Sequence, residues 1–258
     1  MDKKHITVCL YDVLGISNQI MSGNLENVFS LYEELANITN NLSGRPCVDV
    51  EPVEGGFIPN SFIQIVDNAY FSDTYVIWTP SFLPLVHVFT DTCMHVFCKA
   101  LEMGFPLRGC ISSGNAIMDN DTHLFVGEPI VEAARGESEQ NWCGVAFGDS
   151  FKLGLNWDCK MFIPYRKHIK ENTSRFLSPF VLDWPRYWRN NNKSDIKIVL
   201  DNMNTNKAFS SYYDNALNFY EFSNRHQKWY EKANVSKANS YDDFVEKANN
   251  WLDETANG

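Results

Sequence analysis

Hydrophobic and polar positions recur along this chain with two periods, and the changes of period divide it into elements. Residues 6–17, ITVCLYDVLGIS, run as an apolar strand into a carboxylate, Asp12, and then a glycine-containing turn. Residues 24–42 place Leu25, Val28, Phe29, Tyr32, Leu35 and Ile38 at spacings of three and four, the stripe of an amphipathic helix that Asn24 could cap. CVDVEPVEGGFIPN carries Pro52, Pro59 and the Gly55-Gly56 pair, which predicts an irregular connection. Residues 61–79 hold two β-rich runs around Phe71-Ser72-Asp73-Thr74, a hairpin with Asp73 near its turn. Helical spacing returns from Pro84 to Met103, and Gly104 with Pro106 stops it.

PLRGCISSGNAIM (106–118) and THLFVG (122–127) read as two strands joined around Asp119-Asn120-Asp121. Glu128 and Pro129 then open a helix, since proline is tolerated in the first turn and an acid is favoured at the positive end of the dipole. CGVAFGDSF is a further strand, FVLDWPRYW a candidate buried strand ending at Pro185, and RNNNKSD a polar break. Residues 195–250 look helical, with amphipathic stretches SYYDNALNFYEF and DDFVEKANNWL that either dock on the core or join an oligomer interface. The order strand, helix, hairpin, helix, hairpin, helix, strand predicts an α+β fold with helices packed on a mainly antiparallel sheet.

Composition narrows the class. With 258 residues and 44% hydrophobic content the chain can bury a full core. A net charge of -10 argues against nucleic-acid or anionic-membrane partners, which need clustered Lys and Arg. No apolar run approaches the roughly eighteen residues of a membrane span, and MDKKHITV lacks the apolar stretch of a signal peptide, so a cytoplasmic location is expected. The seven cysteines, an odd number in apolar segments, are then expected as reduced core thiols.

Asp12 is the chemical anomaly, because an unpaired buried charge costs several kcal/mol. Asp73 is its natural partner, and two such carboxylates suit Mg²⁺ or Mn²⁺, which prefer hard oxygen ligands completed by substrate phosphates. The alternative is that Asp12 caps a turn and Asp73 is an ordinary hairpin residue. Arg108 lies inside an apolar strand, where its guanidinium needs either a phosphate or base, or a structural carboxylate. Tyr70 and Tyr75 flank Asp73 and could stack on a base or serve as core aromatics. Cys93, His95 and Cys98 do not share a helix face, and no P-loop, nucleophile elbow or dinucleotide fingerprint is present.

Asp12 in LYDVLGIS and Asp73 in YFSDTYVIW resemble the two metal-binding aspartates of class III nucleotidyl cyclases. GEPIVEAARGE (127–137) resembles that family's later helix, with Gly127, Ala133, Ala134 and Arg135 in matching places. The resemblance covers roughly residues 5–150. It departs where the family reads a purine: the usual Asn, Lys and acidic residue are replaced by Val131, Ala69 and Leu124. Either the site is inactive or it takes another base. With RGCISSG and LDWPRYW, the combination is similar to the bacterial pyrimidine cyclases of Pycsar antiphage systems. That resemblance implies a ferredoxin-like class III cyclase core in residues 1–190, a C-terminal helical extension at 195–258, and a homodimer. It implies conversion of UTP, favoured over CTP, to the 3′,5′-cyclic monophosphate, which a separate effector protein reads. Asp12 and Asp73 would hold two Mn²⁺ or Mg²⁺ ions. The backbone N–H groups of Val13, Leu14, Gly15 and Ile16 would cradle phosphate, with Arg108 as a substrate contact. Arg135 would stabilise the α-phosphate across the dimer. The alternative is a catalytically inactive nucleotide-binding or regulatory module on the same fold.

Overall fold

In the computed structural model, β1 (Lys4–Val13) is the central strand, and its alternation decides what lies on each face. Residues 3–46, 50–53, 56–59, 62–64, 66–152, 159–171, 173, 176–204 and 206–256 are described, with side chains described outside 42–64, 83, 84, 208 and 256. After β1 come α1 (Ile16–Met21), α2 (Leu25–Ser43), β2 (Gly44–Pro46), β3 (Val50–Val53), β4 (Gly56–Pro59) and β5 (Phe62–Gln64). The hairpin β6 (Asp67–Phe71) and β7 (Thr74–Pro80) leads to α3 (Leu83–Glu102). Next are β8 (Leu107–Asp119), β9 (Leu124–Gly127), α4 (Glu128–Ser138), β10 (Gly144–Gly148), β11 (Phe162–Pro164) and β12 (Leu177–Leu182). The chain closes with α5 (Trp184–Asn191), α6 (Ile196–Met203), α7 (Ser210–Arg225), α8 (Trp229–Lys232) and α9 (Tyr241–Ala256).

The main sheet runs β11-β12-β10-β8-β1-β7-β6, with β9 paired to β8. Within β8-β1-β7-β6 every neighbouring pair is antiparallel, while β10 joins β8 in parallel. With α1 and α2 before β6, and α3 between β7 and β8, this is the ferredoxin-like βαββαβ order, so the expected α+β class is borne out. The connection expected to be irregular, residues 47–60, contains a small antiparallel ribbon among its described residues, β3 with β4, and a second ribbon, β2 with β5, flanks it.

Successive side chains of a strand point to opposite faces. Cys9, Tyr11 and Val13 therefore enter one core with Leu31 and Leu35 of α2 and Phe89 and Phe97 of α3. Ile6, Val8 and Leu10 face the other way, against Trp78, Cys110 and Ala133 of α4. Asp12 continues this second face, beyond the last apolar position. Six cysteines of the described residues are free thiols, five of them buried, as the apolar contexts predicted. Cys47 lies outside the described residues.

The C-terminal helices share the first core rather than standing apart. Phe219, Trp229, Phe244 and Trp251 pack with Trp142, Phe162 and Phe180, and the Trp229 indole donates to the Phe162 carbonyl at 3.0 Å. FVLDWPRYW is not one strand. Strand β12 stops at Leu182, Asp183 accepts the Arg186 N–H as N-cap of α5, and Pro185 sits in the first turn of that helix, where it forfeits no hydrogen bond. Among the described residues, no helix is long and apolar enough to cross a membrane.

Candidate active site

The site is assembled at the end of β1 by strand register. Asp12 stands opposite Thr74 of β7 on one side and opposite Arg108 of β8 on the other. Direct cross-strand neighbours share a face, so the Arg108 guanidinium meets the Asp12 carboxylate, Nη2 to Oδ2 at 3.1 Å. Arg108 is 9% exposed and its remaining donors are also used. Nε donates to the carboxylate of Glu137, and Nη1 donates to the Gln140 carbonyl and the Tyr212 hydroxyl, each at 3.2 Å. The Tyr212 ring lies 5.4 Å from the guanidinium carbon. Of the two roles open to Arg108 in the sequence, the structure fills the carboxylate one.

Asp73 is brought to Asp12 by the hairpin tip. Ser72 takes a left-handed conformation (φ 56°) to close the turn, the Tyr32 hydroxyl donates to its carbonyl at 2.9 Å, and the Val13 N–H donates to the Asp73 carbonyl at 2.9 Å. The tip is thereby fixed to the end of β1. The electrostatic result is visible in Asp12, whose carboxyl is pushed above the ordinary range by burial, an effect that Arg108 opposes and the charge of Asp73 reinforces.

Glu137 is the residue that sequence reasoning missed. It is buried, and burial pushes its carboxyl up to about 7, with Arg108 opposing and Asp12 adding to the rise. It reaches Arg108 because α4 lies close on the sheet: a Cβ at Gly136 would collide with the Cys110 sulfur and with Leu177. The available signals were an arginine in an apolar strand that needed an acid, and an acid one helical turn from the buried Ala133.

The phosphate cradle is narrower than expected. The Val13 N–H is spent on Asp73 and the Leu14 N–H on the Pro106 carbonyl at 2.9 Å, which corrects the reading for these two residues. Gly15 holds the left-handed turn (φ 79°) that a side chain would strain, and its N–H and that of Ile16 have no partner among the described residues. Arg135 touches neither aspartate within the chain. It is exposed on the outer side of α4, forms no ion pair among the described residues, and lies over the Phe176 ring at 5.2 Å. Tyr75 is a core residue bonded to Thr39, whereas Tyr70 is exposed and stacked on Tyr32 with centroids 5.0 Å apart.

Among the described residues no three His, Cys, Asp or Glu side chains converge as a metal-holding group. Two carboxylates still fit Mg²⁺ or Mn²⁺, which keep water ligands and take substrate phosphates, and the mutual repulsion of Asp12 and Asp73 is what a divalent cation relieves.

No family model matches the chain, and no curated protein matches it. Solved structures do. The catalytic core of a rhodopsin-guanylyl cyclase with converted specificity, in complex with ATPαS, is 14% identical with a TM-score of 0.44, over 70% of this chain and 97% of that one. A bacterial light-regulated adenylyl cyclase is 12% identical with a TM-score of 0.46, over 73% and 95%. An adenylate/guanylate cyclase/hydrolase from Silicibacter pomeroyi is 12% identical with a TM-score of 0.43, over 70% and 98%. Similarity this low carries no argument about function, which rests on the chain's own residues.

Proposed function

We propose that this protein is a metal-dependent nucleotidyl cyclase that converts a pyrimidine nucleoside triphosphate, UTP in preference to CTP, to its 3′,5′-cyclic monophosphate and pyrophosphate. The observation that carries the reading is the Val13–Asp73 main-chain hydrogen bond, which holds Asp73 at the end of the strand that carries Asp12, near enough for its charge to raise the Asp12 carboxyl. Asp12 and Asp73 would hold the divalent ions. Once bound, the metal would supply activation of the ribose 3′-hydroxyl and neutralisation of the triphosphate.

The chain's own residues do the rest. Arg108 fixes the Asp12 carboxylate through the strand register, and the Gly15 and Ile16 N–H groups remain for phosphate oxygens. Arg135, exposed and without an ion pair among the described residues, stabilises charge on the α-phosphate from the partner protomer of a homodimer. Ala69, Leu124 and Val131 place methyl and branched apolar groups where purine cyclases carry polar ones, which supports the pyrimidine preference. By the sequence resemblance, the cyclase-like unit spans 1–190 with 195–258 as its extension, and the cyclic product is the signal of an antiphage system read by a separate effector.

Incubation of purified protein with each of the four NTPs and Mn²⁺ tests this. Cyclic UMP or CMP is expected, with none after EDTA; cyclic AMP or GMP alone removes the pyrimidine assignment. One observation favours a second reading, an inactive nucleotide-binding module: Arg108 already neutralises Asp12. Thermal stabilisation by nucleotide with no cyclic product from any NTP would select that reading.

A further inference from the structure

A second concave site lies far along the chain from the aspartates, where the segment after β11 meets the C-terminal ends of α7 and α9. It is an open cavity of about 480 Å³, within the range of small-molecule sites. Tyr165, Phe222 and Leu252 form an apolar wall, and the basic side chains Lys167, Arg225 and His226 stand around it.

The charge there is unbalanced in a chain whose net charge is -10. The cavity's acid, Asp253, is already paired with Arg166 at 2.9 Å, and the same guanidinium donates to Asn249 at 2.8 Å. Lys167 and Arg225 make no ion pair among the described residues. The Nδ1 atom of His226 is buried and has no hydrogen-bond partner among the described residues, although its ring is held by Phe222 and Trp251. Arg225 does offset the negative end of α7's dipole. That role explains neither Lys167, on another segment, nor the orphaned nitrogen.

We infer that this cavity binds a phosphorylated aromatic ligand of mononucleotide size, with the phosphate between Lys167 and Arg225 and the flat body against Phe222. A guanidinium fork matches phosphate oxygens in pairs, and a concave basic site concentrates anions against an otherwise acidic surface. The site uses none of the residues assigned to cyclisation, so it stands or falls separately from that assignment.

Isothermal titration of the full chain in EDTA, with UMP, AMP, uridine and inorganic phosphate as probes, tests it. EDTA removes metal-dependent binding at the aspartates. At least one mononucleotide is expected to bind with Kd below about 1 mM, and uridine and phosphate at least tenfold more weakly. Lys167→Glu with Arg225→Glu should weaken mononucleotide binding at least tenfold, whereas Arg135→Ala should leave it unchanged. Both reversed side chains are exposed, and an unchanged melting temperature of the unliganded double variant certifies its fold. If that variant melts early, the single changes Lys167→Ala and Arg225→Ala carry the same comparison. No binding of either mononucleotide, equal binding of phosphate, or undiminished binding by the charge variants overturns the inference.

Discussion

Two carboxylates in this protein are withdrawn from water in opposite ways. Asp183 is 1% exposed, and its neighbours are donors: the Ser223 hydroxyl at 2.5 Å and the Arg186 N–H that it caps, with Arg189 anchored on the same serine. Asp12 keeps a quarter of its side chain open (24%), meets one guanidinium, and faces two further acids, Asp73 and Glu137. Burial raises both carboxyls. What differs is the sign of what remains. The Asp183 pocket is closed with its charge answered, which is how a fold uses a buried acid. The end of β1 has three carboxylates to one arginine and stays open to water, which leaves a place for a cation.

The contrast predicts a reversal of phenotypes. Asp73→Asn should lower cyclic nucleotide synthesis at least about 100-fold, roughly 2.7 kcal/mol at the transition state, with a melting temperature close to that of the unchanged protein. Full activity would remove Asp73 from the site. Asp183→Ala should do the opposite, costing about 2–4 kcal/mol in urea unfolding because Ser223 and the α5 N-terminus lose their acceptor and Arg189, which donates to Ser223, loses the opposite charge beside it. The protein that remains folded should keep its turnover per molecule. If Asp183→Ala instead lost activity without losing stability, the separation of a structural acid from a functional one would fail.

Arg108→Lys probes the border between the two cases. A lysine keeps the charge but cannot span Asp12 and Glu137 while also reaching Gln140 and Tyr212, so a loss of about 1–2 kcal/mol in stability is expected. Activity should fall roughly tenfold as the Asp12 carboxylate loses its fixed orientation. A stability loss as large as that of Asp183→Ala, with full activity, would place Arg108 wholly on the structural side.

The legible and illegible parts of the chain divide along the same physical line. Periodicity carried the βαββαβ order and the hairpin tip at Asp73, because strand and helix repeats are local. It also flagged Arg108 as needing a partner. It did not supply Glu137, 29 residues on, because that contact depends on how closely α4 rests on the sheet at Gly136. The helix α5 was hidden for another reason: Trp184, Pro185, Tyr187 and Trp188 are as apolar as a strand, and only Asp183 as a cap distinguishes them. The cradle residues Val13 and Leu14 were misread because tertiary acceptors, Asp73 and Pro106, took N–H groups that sequence left open.

His168 supplies the smallest test at neutral pH. It is fully buried, stacked on Tyr165 at 6.0 Å and tilted against Trp142 at 4.6 Å, and neither ring nitrogen has a partner among the described residues. Burial holds its pKa down, from 6.5 to about 3. The unfolded chain therefore takes up a proton as pH falls through 6.5 while the folded protein does not, so stability falls on acidification between those values, by up to about 1.4 kcal/mol per pH unit. His168→Phe keeps the aromatic packing and removes both orphaned atoms. It should gain about 1 kcal/mol at pH 7, and the gap over the unchanged protein should widen as pH is lowered to 5, read as the difference in urea midpoints. This is the limit that Asp183 approaches from the other side: inside the aromatic core a polar group must be matched or neutral, whereas at the end of β1 the fold leaves charge standing in reach of water. A gap that stays constant with pH would mean that His168 takes up its proton alike in the folded and the unfolded chain, and that the aromatic core tolerates a charge.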